Sequence, residues 1–157
     1  MATFEDLLIL KAAEKIADSV WKQVSQWDEF SRDVVGKQIT RSADSIGANI
    51  AESFGRYHFG EKLQFLYYSR GSLFETKYWL NRVKERDLMK QKDIQEYIDG
   101  LTSLARQLNS FANGLKNVRS EVKKPALKEP SSDYHVTSSE EFSGLLFSEE
   151  DLAFLEG

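Results

Sequence analysis

Apolar residues recur at steps of three and four along most of the chain, and the polar residues between them keep a step of their own. Ile9, Ala13, Ile16, Val20 and Val24 fill one face of a helix predicted over residues 3–26, with the Thr3 hydroxyl as cap and Asp6 three residues on. Val35, Ile39, Ala43, Ile46, Ile50 and Phe54 mark a second helix, with Ser31 as its cap and Phe30 placed to staple onto Val35. A glycine-bearing stretch at 55–60 closes it and permits a tight reversal. The third, over 61–86, buries Leu63, Leu66, Leu73, Leu80 and Val83; the fourth, over 90–122, buries Ile94, Tyr97, Ile98, Leu101, Leu104, Leu108, Phe111, Leu115 and Val118. No proline interrupts this stretch and no strand-like alternation competes with it. Helices of this size are each roughly 35–40 Å long, and connections of a few residues make sequential ones antiparallel. The fold expected is therefore all-α, an up-down-up-down four-helix bundle over residues 1–122. Its aromatic residues, among them Trp21, Trp27, Phe65, Tyr68, Tyr78 and Trp79, outnumber what one slim core holds, which points to self-association.

Composition changes this picture in two ways. There is no cysteine, which removes disulfides, thiolate metal sites and cysteine nucleophiles. A net charge of −4 argues against nucleic acid as a partner, but the charge is divided unevenly along the chain. Residues 1–124 hold 20 Lys and Arg against 17 Asp and Glu, net +3, whereas residues 125–157 hold Lys128 against eight acids, net −7. The same boundary collects both prolines, Pro125 and Pro130, and six serines. Residues 123–157 read as a linker followed by an acidic, hydrophobic tail, with a short helix near 149–155 that opens on a Ser148-to-Asp151 capping box. The apolar run Leu7 to Leu10 is too short for a signal-peptide core or a membrane span, so the protein is expected in the cytoplasm and off the membrane.

A polar stripe accompanies the apolar one on the second helix. Gln38, Arg41, Ser45, Asn49, Glu52 and Arg56 are separated by steps of three and four, and Glu75 faces them from the third helix, where Gly71 and Ser72 allow close approach. These seven residues are expected to form a structural polar network at the helix boundary. The run Gln38-Ile39-Thr40-Arg41-Ser42-Ala43-Asp44-Ser45-Ile46-Gly47-Ala48-Asn49-Ile50-Ala51-Glu52, then Gly55-Arg56, then Gly71-Ser72-Leu73-Phe74-Glu75, resembles the signature of the four-helix-bundle family of 23S rRNA intervening sequence proteins. That family is similar to the accessory variability determinant proteins of diversity-generating retroelements. The resemblance covers roughly residues 4–120. It implies a subunit of a homopentameric, barrel-like ring, in a family whose retroelement relatives bind nucleic acid and a reverse transcriptase. The family usually carries glycine directly after the motif glutamate, whereas here Ser53 and Phe54 intervene before Gly55.

Catalytic chemistry finds little to work with. His58 and His135 are the two histidines, so the Glu-x-x-His pairs of a di-iron bundle are missing, and no glycine spacing forms a phosphate cradle. No catalytic residue, cofactor site or metal ligand is assigned, and the chain is read as a non-enzyme. Lys77, Arg82, Lys84, Arg86, Lys90 and Lys92 cluster around the turn between the third and fourth helices, and Arg119, Lys123 and Lys124 lie at the end of the fourth. These nine are the candidate contacts to RNA or DNA, and a ring would repeat them around an axis. Phe142, Leu145, Leu146, Phe147, Leu152, Phe154 and Leu155 give the tail the anchors of a docking peptide. The functional expectation is an oligomeric helical adaptor that binds nucleic acid, a nucleic-acid enzyme such as a reverse transcriptase, or both. The alternative is a protein-interaction scaffold that recruits a partner through its tail and has no nucleic-acid role.

Overall fold

The computed structural model describes residues 4–122 and 144–157, and every regular element among them is a helix. Thr3, the linker residues with Lys123 and Lys124, and Phe142 lie outside the described residues. Helix α1 covers Phe4–Val24, and α2 is a single turn, Glu29–Ser31. A five-residue π-helical segment, Arg32–Gly36, runs into α3, Lys37–Gly55. Then come α4, Phe59–Glu85, α5, Gln91–Val122, and α6, Glu149–Glu156.

The four long helices pack in a closed cycle, α1 on α3, α3 on α4, α4 on α5 and α5 back on α1. Cross-helix hydrogen bonds fix the antiparallel senses. Ser53 meets Lys62, Ile46 meets Ser69 and Ser42 meets Thr76 across α3 and α4, while Ser19 meets Tyr97 and Gln23 meets Asp93 across α1 and α5. The interior is lined by the expected stripes, for example Ala13 and Val20 from α1, Ile39 and Ile46 from α3, Leu66 and Leu73 from α4, and Leu101 and Leu108 from α5. Val118 departs from its stripe and is exposed. By the 1.5 Å rise per residue, α5 (32 residues) is longer than α4 (27 residues), and Val118 lies near its far end.

The entry to the second long helix differs from expectation. Asp28, three residues before Ser31, is the cap, its carboxylate accepting the Ser31 N–H at 3.0 Å. Hydrogen bonds from the Ser31 side chain and backbone hold the Asp28 carboxyl below the ordinary value. Phe30 is 76% exposed and staples nothing; Trp27, directly before the true cap, packs on the core instead. The π-helical segment brings Gly36 against α1 so closely that a Cβ there would sit 2.5 Å from Val24 Cγ1. At the other end of α4 the chain turns through a Schellman motif, with Asp87 at φ 53°. The Leu88 N–H reaches Val83 O and the Asp87 N–H reaches Lys84 O. Among the described residues no helix is long and apolar enough to cross a membrane.

Candidate interaction surfaces

The close seam between α3 and α4 is polar at its centre. Ser42, Ser53, Ser69 and Thr76 are all buried, and their hydroxyls stitch the two backbones together. Ser69 Oγ donates to Ile46 O at 3.0 Å, Ser53 Oγ donates to Lys62 O at 2.9 Å, and Thr76 Oγ1 lies 3.0 Å from Ser42 Oγ. Lys62 Nζ in turn donates to the last α3 carbonyls, of Ser53 and Phe54, a favourable place for a cation. Small hydroxyl side chains let the helices approach while satisfying their own donors.

The expected network is displaced toward solvent relative to this seam. Asn49 does reach across, its Nδ2 donating to Ser45 O at 2.8 Å and lying 3.5 Å from Ser72 Oγ. Glu52 and Arg41 are exposed, and Glu52 pairs with Arg56 along its own helix. Glu75 is exposed as well and accepts from Trp79 Nε1 on its own helix, while Gln38 is half-buried. Glu52 and Glu75 thus work within their own helices and not across the seam. The buried hydroxyls were readable in principle, since Ser69 and Thr76, seven residues apart, share the stripe of Leu66, Leu73 and Leu80.

The basic residues divide into free and engaged groups. Lys84, Arg86, Lys90 and Lys92 are exposed around the α4–α5 turn. Arg82 is half-buried with its guanidinium 5.8 Å from the Tyr78 ring centre, and Arg119 lies 4.6 Å over Phe59 at the opposite end of the bundle. Lys77 must be withdrawn from the candidate contacts. It is 1% exposed, and its Nζ has no hydrogen-bond partner. It lies four residues from Leu73 and three from Leu80, so the helix turns it inward with them. Burial, reinforced by Lys84, pushes its pKa below the ordinary lysine value.

The tail returns to its own bundle and lies along α4 and α5. Leu146, Phe147, Leu152 and Leu155 are buried in the common core, with the Phe147 and Phe154 rings each 5.8 Å from Phe74. Leu145 and Phe154 remain 51% and 58% exposed. Asn109 reads the tail backbone with both halves of its amide, Nδ2 donating to Phe147 O at 2.8 Å and Oδ1 accepting the Phe147 N–H at 2.7 Å. Lys116 Nζ donates to Gly144 O, Arg106 pairs with Glu156 at 2.9 Å, and Arg70 spans both oxygens of Asp151 at 3.3 Å. Ser148 and Asp151 cap α6 reciprocally. Burial pushes the Asp151 carboxyl up, but the Ser148 backbone and hydroxyl bonds together with Arg70 prevail and hold it below the ordinary value. None of Arg106, Asn109 and Lys116 was singled out from the sequence, although their spacing places them on one side of α5 beside the leucine stripe.

Clefts flank α1 on both sides. The first, about 340 Å³ between α1 and α5, is lined by Ile16, Ser19, Tyr97 and Leu104. The second, about 620 Å³ between α1 and α3, opens beside the π-helical segment and Trp21. Among the described residues, no group of three or more His, Cys, Asp or Glu side chains is placed to hold a metal ion.

The family model for the 23S rRNA-intervening sequence protein matches residues 5–110, well over half of the chain. The chain belongs to that family. The matched span runs from α1 into α5, so the intervening sequence protein unit is the bundle, and α6 lies beyond it. A solved structure of a protein of unknown function from the S23 ribosomal protein family of Bacteroides thetaiotaomicron VPI-5482 is similar in fold, with a TM-score of 0.65 at 22% identity. The match covers 99% of that chain but 70% of this one. No curated protein matches this intervening sequence protein.

Proposed function

We propose that this intervening sequence protein is a non-enzymatic, oligomeric helical adaptor that contacts RNA or DNA through the turn between α4 and α5. The observation that carries the reading is the exposure of Lys84, Arg86, Lys90 and Lys92 around that turn, none of them in an ion pair among the described residues. Glu85 and Asp87 are interleaved with them, and the turn keeps a net positive charge. One such turn is a modest field. A ring of subunits, a homopentamer in the form the family resemblance implies, multiplies it about a common axis. The family resemblance adds a nucleic-acid enzyme such as a reverse transcriptase as the protein partner.

Binding of labelled RNA and DNA by the full chain, titrated over salt, tests the reading. Each phosphate that is no longer neutralised should reduce the slope of log K against log salt by about 0.7 to 0.9. Replacing the four cations with glutamine should therefore flatten it by roughly 3 per subunit engaged. Absence of binding even at low salt sinks the nucleic-acid role. Sedimentation of the same protein decides the oligomeric half separately. The scaffold reading, in which the tail recruits another protein, has less support because Leu146, Phe147, Leu152 and Leu155 are already buried on the chain's own bundle.

A further inference from the structure

The tail lies in a groove lined by cations and an aromatic floor. Asp151 gives both carboxylate oxygens to Arg70 at 3.3 Å, Glu156 meets Arg106 at 2.9 Å, and the Gly144 carbonyl oxygen accepts from Lys116. These three cations thus face oxygens, as they would face the phosphates of a strand. The Phe147 and Phe154 rings rest on Phe74 at 5.8 Å, tilted by 34° and 42°, where bases would stack. The tail leaves this lining incompletely satisfied. Arg70 Nε is buried without a hydrogen-bond partner among the described residues, and so is Lys77 Nζ. Arg70, Lys77 and Lys84 follow at steps of seven, so they lie on nearly one line along α4. That line runs about 21 Å from the groove to the exposed Lys84 of the α4–α5 turn.

We propose that the α4–α5 groove is a second contact surface for single-stranded RNA or DNA, continuous with the α4–α5 turn, and that the chain's own tail closes it by standing in for the strand. The inference rests on the nucleic-acid reading above. The tail is an addition to a finished bundle, since the family unit ends at residue 110 and the solved relative is matched over 99% of its length by 70% of this chain. Its anchorage is small. Burial of Leu146, Phe147, Leu152 and Leu155 is set against the ordering of the whole segment 144–157. A strand brings more oxygens to the same cations and reaches the turn as well, so it displaces the tail by contacts that the tail cannot match. Because the tail stays tethered to the bundle, it closes the groove again when the strand leaves.

Anisotropy titrations of labelled single-stranded RNA and DNA oligonucleotides over a range of salt test this on the full chain and on the chain lacking 144–157, with circular dichroism to confirm folding. Deletion should tighten binding severalfold and steepen the slope of log K against log salt by roughly 2 to 3 for three uncovered cations. Loss of the tail's negative charge alone would act in the same direction, and the triple variant Arg70→Gln/Arg106→Gln/Lys116→Gln separates the two. It should return the deleted chain to the slope of the full chain and leave the slope of the full chain nearly unchanged. Asn109→Ala in the full chain removes two bonds to the tail and no charge. It should also tighten binding, and it decides the matter if the deleted chain does not fold. An unchanged slope on deletion, or equal flattening by the triple variant in both chains, overturns the proposal. If the four glutamine replacements at the turn still weaken binding in that case, the turn reading stands without the groove. No binding by either chain at low salt removes both.

Discussion

Lys77 and Asp87 show how single residues here work against their own preferences. The unfolded chain binds the Lys77 proton more tightly than the native one does, because burial and Lys84 lower the native pKa from the ordinary 10.5. Stability should therefore rise as pH climbs through the native pKa toward 10.5. Lys77→Met should abolish that rise and stabilise the protein at neutral pH by about 1–3 kcal/mol, the range for a buried polar group without a partner. Urea melts of both proteins across the alkaline range check this; an unchanged slope in Lys77→Met would contradict it. Asp87 holds a left-handed conformation at a helix C-terminus, where its charge also opposes the dipole. Asp87→Gly is expected to raise stability by about 1 kcal/mol, read as a shift in denaturation midpoint at constant m-value. Lys77 was legible in part, because its spacing from Leu73 and Leu80 places it on the apolar stripe, and its charge alone suggested the surface. The conformation of Asp87 was not legible, since aspartate is also at home in ordinary turns.

At the scale of the element, the apolar steps locate the long helices to within a few residues, because burial of one face dominates where a helix forms. Their junctions depend on finer contacts. A π-helical segment enters α3 where a continuous α-helix was expected, and it places Gly36 against Val24. Valine is stiff at χ1 and has no long side chain to swing aside. Gly36→Ala should therefore cost about 1–3 kcal/mol despite alanine's better helix propensity, measurable by thermal or chemical denaturation. For α6, the Asp151 carboxyl has a native pKa below the ordinary 3.8, so docking has its full strength above 3.8 and weakens as pH falls through the lowered value. Following the Gly144 amide by NMR through an acid titration should show this loss, with a weaker pH dependence in Asp151→Asn. Where the tail sits was hidden from the sequence, because its contacts join residues separated by 28 to 81 positions and depend on complementary side chains, not on a period.

For the whole molecule, the charge division along the sequence acquires a physical form. The acidic tail meets Arg70 and Arg106 on the bundle, while the α4–α5 turn stays open. The all-helical class was legible from periodicity alone, and the placement of free and engaged cations was not, since Arg82 and Arg119 lie over aromatic rings that only the packed structure brings near.

The closed cycle of helices also has a consequence in time. The α3–α4 hairpin joins residues close in sequence, the Ser19–Tyr97 contact closes a separation of 78 residues, and Arg70–Asp151 closes one of 81. Loop closure makes the most distant pairings the last to form, and the short docked segment with few buried side chains should be the first to open. Hydrogen exchange should accordingly show the amides of residues 149–156 losing protection at denaturant concentrations that leave Ile46 and Leu73 protected, and equal protection in both would show that the tail folds as one unit with the bundle. A molecule built this way passes through a stage in which its bundle is finished and its tail is still searching for a groove.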